Sequence, residues 1–204
     1  MFQLRKLNSI LVIIIILILA SHALLTGLLL AGLIEYTPNT IVTGEVLLFF
    51  VIAHIIISIY LFIKDKIKQR KIHVYANINK DTIVQAISGI FIIIFIVAHV
   101  LSYIYLPAYI PNFNWQITHL TIDTLFFITL FIHLQISIPR LLVSFGFLVE
   151  KNDYDKCRKV IRILLIIIFT LLFLSELSYY ILWKSWFYGK RNYSDWCRSC
   201  RTDL

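Results

Sequence analysis

The stretch Thr82-Ile-Val-Gln-Ala-Ile-Ser-Gly-Ile-Phe-Ile-Ile-Ile-Phe-Ile-Val-Ala-His-Val-Leu-Ser-Tyr-Ile-Tyr-Leu106 decides the fold. It reaches Pro107 without one Asp, Glu, Lys or Arg. A helix rises about 1.5 Å per residue, so crossing about 30 Å of hydrocarbon takes about 20 apolar residues, and this segment is long enough. Four more segments read the same way: about 10–34, 46–63, 117–138 and 163–183. The breaks between them are marked by Thr37-Pro38-Asn39, Lys64-Asp65-Lys66, Pro107, Pro139-Arg140 and a charged run ending at Arg162. No alternating barrel pattern is present, and in hydrocarbon each backbone amide needs an internal partner. The expected fold is therefore an all-α integral membrane bundle of five helices, one membrane domain over residues 1–204 with a short tail at 184–204.

Composition agrees. A chain of 204 residues that is 60% hydrophobic and 15% charged, with Gly 6 and Pro 4, is too apolar for a soluble domain of ordinary composition. Five spans use nearly all of it, which excludes a soluble catalytic domain. The net charge of +8 would suggest nucleic acid in a soluble protein; here the expected partner is the lipid surface, and nucleic acid is not expected. Three cysteines exclude a disulfide framework. The first segment exceeds a signal-peptide core and is expected to be retained.

Basic residues set the expected orientation, because Lys and Arg collect on the cytoplasmic side. Arg5 and Lys6 precede the first segment. Lys64, Lys66, Lys68, Arg70, Lys71 and Lys80 lie between the second and third, and Arg140, Lys151, Lys156, Arg158, Lys159 and Arg162 between the fourth and fifth. The remaining connectors, from Glu35 to Glu45 and from Pro107 to Gln116, have neither Lys nor Arg. The N-terminus is expected in the cytoplasm and the C-terminus outside, in a prokaryotic cytoplasmic membrane. The region from Arg140 to Arg162 is expected as a surface connector, partly extending the fourth helix.

His22, His54, His99 and His133 each fall in the apolar body of a different segment. A lone histidine there would be accounted for by a hydrogen bond to a neighbouring helix. Depth says more. Counted from the expected cytoplasmic ends, His54 lies roughly 14 Å deep and His133 roughly 9 Å, whereas His22 lies roughly 21 Å and His99 roughly 25 Å deep. Two imidazoles at each of two levels suit two haems, since bis-His ligation closes an iron to substrate and leaves electron transfer as its role. Four histidines split between two levels cannot form one tetrahedral zinc site. The small residues Gly27, Ser58, Gly89 and Ser137 lie near the histidines in sequence and allow close approach to the backbone.

These residues resemble a known family: the five-helix dihaem cytochrome b anchor of succinate dehydrogenases and fumarate reductases. Gln85-Ala86-Ile87-Ser88-Gly89, ten residues ahead of His99, looks like the family's Q-R-x-S-G motif. Phe50-Val51-Ile52-Ala53-His54, with Ser58 and Tyr60, is similar to its second-ligand segment. Phe131-Ile132-His133 with Leu141 to Phe147 is similar to its fourth. The resemblance covers about 8–183. It implies two b haems, held by His54 with His133 on the side of the soluble subunits and by His22 with His99 on the far side, with Ser88 and Gly89 at the cofactor. It also implies flavoprotein and iron–sulfur partner subunits on the cytoplasmic face and a quinone, commonly menaquinone, as electron partner. Ala86 departs from the motif's Arg, and Ile136-Ser137 from the Asn-Gly that often follows the fourth ligand. Arg140, Lys64, Lys66 and Arg70 are candidates for the missing positive charge. For a quinone on the outer side, the candidates are Glu35, Glu45, His119 and Asp123.

Three rival readings come from the same residues. The first is the cytochrome b subunit of a hydrogenase or formate dehydrogenase, which the spacing of Ser88-Gly89 to His99 disfavours. The second is a quinone-linked thiol oxidase using Cys197 and Cys200, which lacks a second cysteine pair because only Cys157 remains. The third is a haem-free transporter or scaffold, which leaves the paired histidines unexplained. Glu176 is the one carboxylate well inside a segment.

Overall fold

A computed structural model of the chain describes residues 2–35, 38–69, 76–105, 110 and 114–183. The tail with Cys197 and Cys200, the residues Arg70, Lys71 and Pro107, and the side chains of Lys66, Lys68 and Lys80 lie outside the described residues. The helices are α1 (Phe2–Leu30), α2 (Pro38–Gln69), α3 (Ala76–Val100), α4 (Trp115–Ser144) and α5 (Lys151–Leu177). A π-helical turn continues α3 over Leu101–Tyr105, and another continues α5 over Ser178–Trp183. All five helices are long and apolar enough to cross a membrane, with mean hydropathies from 1.8 to 2.9. The lowest value belongs to α4, which carries His119, Asp123, His133 and Arg140. No strand occurs among the described residues.

The ends differ from the sequence reading for local reasons. α1 stops at Leu30 rather than running to residue 34, because Gly32 takes φ 72° and the Leu33 N–H donates to the Leu28 carbonyl at 2.9 Å. That is a left-handed glycine cap, which satisfies carbonyls the helix end would otherwise orphan. α4 passes through Pro139 to Ser144 instead of ending at Ile138. A proline costs one helical hydrogen bond, and in a packed apolar bundle neighbouring groups compensate; Pro139 is fully buried. A second glycine cap, Gly146 at φ 79° with the Phe147 N–H on the Leu142 carbonyl at 3.0 Å, closes α4. α5 then starts at Lys151, so most of the expected connector from Arg140 to Arg162 is helix. Its first turns are tied to α3, where Arg158 Nη1 donates to Asp81 Oδ2 at 3.3 Å.

The bundle is a pair set against a triple. α2 packs on α1, α4 packs on both α3 and α5, and α1 bridges the two groups through lighter contacts with α5 and α4. Ser9 and Ser144 hydroxyls meet at 3.2 Å, which places the start of α1 beside the end of α4. The end of α2 and the starts of α3 and α5 share that end of the bundle. Arg5, Lys6, Lys64, Arg140, Lys151, Lys156, Arg158, Lys159 and Arg162 gather there, and the described residues of the opposite end have no Lys or Arg.

The buried set among the described residues is unusual for its polarity. Leu61, Leu130, Ile136 and Leu165 are the buried large aliphatic side chains, alongside buried Ser88, Ser102, His119, Asp123, Ser137 and Glu176. Large apolar side chains gain little by leaving lipid, so the interior of a membrane bundle is given to small residues and to polar groups that need partners. Hydroxyls in the apolar bodies find them on their own helices: Thr26 donates to the His22 carbonyl at 2.7 Å, Thr124 to Leu120 at 2.6 Å and Ser175 to Leu171 at 3.0 Å.

Candidate functional site

All four intramembrane histidines are engaged through Nδ1, and Ser58 Oγ lies 3.4 Å from each ring nitrogen of His54. His54 Nδ1 donates to Asn8 Oδ1 on α1 at 2.9 Å. His133 Nδ1 meets Ser88 Oγ on α3 at 3.1 Å; because that hydroxyl donates to the Gln85 carbonyl at 3.0 Å, it accepts from the ring. His22 Nδ1 and Thr43 Oγ1 on α2 lie 3.2 Å apart. His99 Nδ1 donates to Asp123 Oδ1 on α4 at 2.6 Å. A histidine that ligates a metal through one nitrogen ordinarily donates its other N–H to such an acceptor, which fixes tautomer and ring orientation.

Helix pairing sets the rings at two heights within each half of the bundle. α1 and α2 run antiparallel, with Asn8 opposite His54 and Thr43 opposite His22. Asn8 precedes His22 by fourteen residues, about 21 Å of helix. On α3 and α4, Ser88 faces His133 and Asp123 faces His99; Ser88 precedes His99 by eleven residues, about 16 Å. His54 and His133 lie on helices from the two halves of the bundle. His22 is held against α2, and His99 against α4.

Glycines adjoin two of the rings. A Cβ added at Gly44 would stand 3.3 Å from His22 Cε1, and one at Gly89 would stand 3.6 Å from His133 Cε1. Gly89 therefore faces the ring directly, as does Gly44, while Gly27 faces Leu172 of α5. Near the inner level, Gln85 Nε2 donates to Ser137 Oγ at 2.8 Å, and Arg140 donates to Gln85 Oε1 at 2.6 Å and to Thr82 Oγ1 at 3.0 Å. Arg140 thus holds the α3–α4 seam just below His133. Lys64 instead donates to the Tyr60 hydroxyl at 3.2 Å and lies exposed.

The outer level carries a denser polar cluster. Asp123 is 4% exposed; its second oxygen accepts from the Tyr103 hydroxyl at 2.8 Å, and Tyr103 and Tyr180 hydroxyls meet at 2.6 Å. Glu176, 1% exposed, has both carboxyl oxygens buried without a donor, and they face the Asp123 carboxyl. A bond between the two carboxyls requires a proton on one of them. His119 packs edge-on to Tyr103 with centroids 4.1 Å apart and stacks with Tyr180 at 6.0 Å, and its Nδ1 is buried without a partner. Tyr103 and Tyr180 belong to the two π-helical turns, a form found mostly as local insertions at functional sites.

Of the outer residues expected from sequence, His119 and Asp123 are in this cluster. Glu35 and Glu45 are exposed, with no described contact to it. Asp123, expected at a quinone, accepts here from His99 and Tyr103. Sequence reasoning passed over Asn8, Thr43, Gly44, Tyr103 and Tyr180. Their signal was the antiparallel register, in which a step up one helix is a step down its neighbour. Cys157 is a free thiol on the basic end of α5, remote from the outer cluster.

The donor set fits bis-imidazole ligation. Four rings are oriented through Nδ1, two of them abut glycine, and one pair spans the halves of the bundle. Among the described residues no three His, Cys, Asp or Glu side chains form a metal cluster. No family model matches the chain, and no curated protein or solved structure matches it either.

Proposed function

We propose that this chain is the membrane anchor and electron-transfer subunit of a succinate dehydrogenase or fumarate reductase. In this reading two b haems are held by His54 with His133 and by His22 with His99. The observation that carries it is the shared Nδ1 engagement of four intramembrane imidazoles, two in each half of the bundle, a pattern that a scaffold or transporter does not require. A bound haem would supply one-electron chemistry at iron, with its potential set by axial ligands, burial and hydrogen bonds. His54, His133, His22 and His99 would hold the haems, and Asn8, Ser88, Thr43 and Asp123 orient their rings. Ser88 and Gly89 give the His133 ring a hydroxyl acceptor and a flat backbone neighbour.

The basic end is the docking face for the flavoprotein and iron–sulfur subunits and is cytoplasmic, in keeping with the distribution of Lys and Arg. At the opposite end a quinone, menaquinone by the resemblance, takes its hydrogen bonds from the cluster of His119, Tyr103 and Tyr180, and Glu176 holds a proton near it beside the Asp123 carboxylate. The test is purification of a tagged chain from its native membrane. Flavin and iron–sulfur protein should copurify, and succinate should reduce the b haems. Reduction by hydrogen or formate and not by succinate would assign the chain to the rival hydrogenase or formate dehydrogenase class. Charge reversal of Lys66, Lys68, Arg70 and Lys71 to Glu should release the soluble subunits; their full retention would remove that loop from the docking face.

A further inference from the structure

The four imidazoles are not oriented by equivalent partners. Asn8, Ser88 and Thr43 offer an amide oxygen and two hydroxyls to His54, His133 and His22, at 2.9, 3.1 and 3.2 Å. Asp123 offers His99 a carboxylate at 2.6 Å, the shortest of the four bonds. Charge-assisted hydrogen bonds are shorter and roughly twice as strong as neutral ones. The acceptor is also embedded: Asp123 is 4% exposed, and around it stand Tyr103 and Tyr180 from the π-helical turns, Glu176 from α5, and His119 one turn away on its own helix. In a water-poor interior of low dielectric, a carboxylate bond of this kind acts far more strongly than it would in water.

We propose that Asp123 is the residue that makes the two haem sites unequal, holding the site that contains His99 at the lower midpoint potential. The inference rests on the dihaem reading above. A carboxylate that draws the Nδ1 proton toward itself gives the ring imidazolate character. A more electron-rich imidazole donates more strongly to iron and favours the oxidised over the reduced ion, and the nearby negative charge acts in the same direction. Hydroxyl and amide acceptors at the other three rings lack this pull. Tyr103, by donating to the second oxygen of Asp123, shares the carboxylate's charge and moderates the effect. Asp123 acts through His99, so it is a positioning and tuning residue.

The test is a redox titration of the purified chain, following each haem's α band separately, with the band of the outer site assigned by its loss in His99→Ala. Asp123→Asn keeps the size and an acceptor oxygen while removing the charge. It should raise the midpoint of the outer band by at least tenfold in the one-electron equilibrium, about 59 mV, and leave the other band in place. Asp123→Glu should restore a low midpoint, and Tyr103→Phe should shift the outer midpoint slightly downward. Haem present with an unmoved or lowered outer midpoint in Asp123→Asn would overturn this inference and leave the dihaem reading standing. Where Asp123→Asn binds no outer haem, the Tyr103→Phe titration decides: an upward shift or none overturns the proposal. A wild-type chain without haem would overturn both proposals.

Discussion

The inner and outer histidine levels use the same helices and differ in how they hold their rings. At the inner level His54 and His133 come from opposite halves of the bundle and rest on Asn8 and Ser88. At the outer level His99 is clamped by a buried carboxylate that two tyrosines and a second carboxyl surround, while His22 lies flat on Gly44. The same side chain in a neutral setting and in a charged one gives the chain two histidine levels of different character without any change of fold.

The sharpest way to break this comparison is to remove the rings. His54→Ala and His133→Ala should each abolish the same spectral component entirely, and His22→Ala and His99→Ala should each abolish the other. Optical difference spectra of the four variants decide it; a shared loss between His54→Ala and His99→Ala would contradict the levels. Next in size are the glycines. A methyl at Gly44 meets His22 Cε1 at 3.3 Å and must displace the ring, at a cost of about 1–3 kcal/mol of overpacking, whereas at Gly89 the 3.6 Å contact is ordinary packing. Gly44→Ala should therefore weaken the outer haem signal, and Gly89→Ala should leave the inner one. Equal losses in a haem-content assay would show that the two faces are packed alike. The smallest effect is expected at the neutral acceptors: Asn8→Ala removes the acceptor of His54 and Ser58, Ser88→Ala removes the bonds to His133 and the Gln85 carbonyl, and with about 1 kcal/mol for each bond both should lower inner haem retention several-fold during chelating or denaturing washes.

Much of the architecture was legible because it depends on span length and charge. The segment from Thr82 to Leu106 could be nothing but a long apolar helix, and the Lys- and Arg-rich connectors fall at one end of the bundle. The misread ends share a cause, since glycine caps and buried prolines act through tertiary surroundings. Pro139 reads as a stop and lies inside α4, while Gly32 ends α1 in the middle of what reads as an apolar run. The histidines were visible because an ionisable side chain in a hydrophobic run is rare. Their partners were not, because Asn8, Thr43 and Tyr103 are ordinary residues until antiparallel packing sets each against a ring or a carboxylate. Asp123 was noticed for its charge, but its bond to His99 depends on packing that the sequence does not show.

The central claim is that four Nδ1-anchored imidazoles make two closed haem sites in one chain. Pyridine haemochrome analysis of the purified protein, against its concentration from amino-acid analysis, tests it most directly. The account predicts two extractable b haems per chain, low-spin in both redox states. One haem per chain, haem that resists extraction because it is covalently attached, or no haem at all would contradict it.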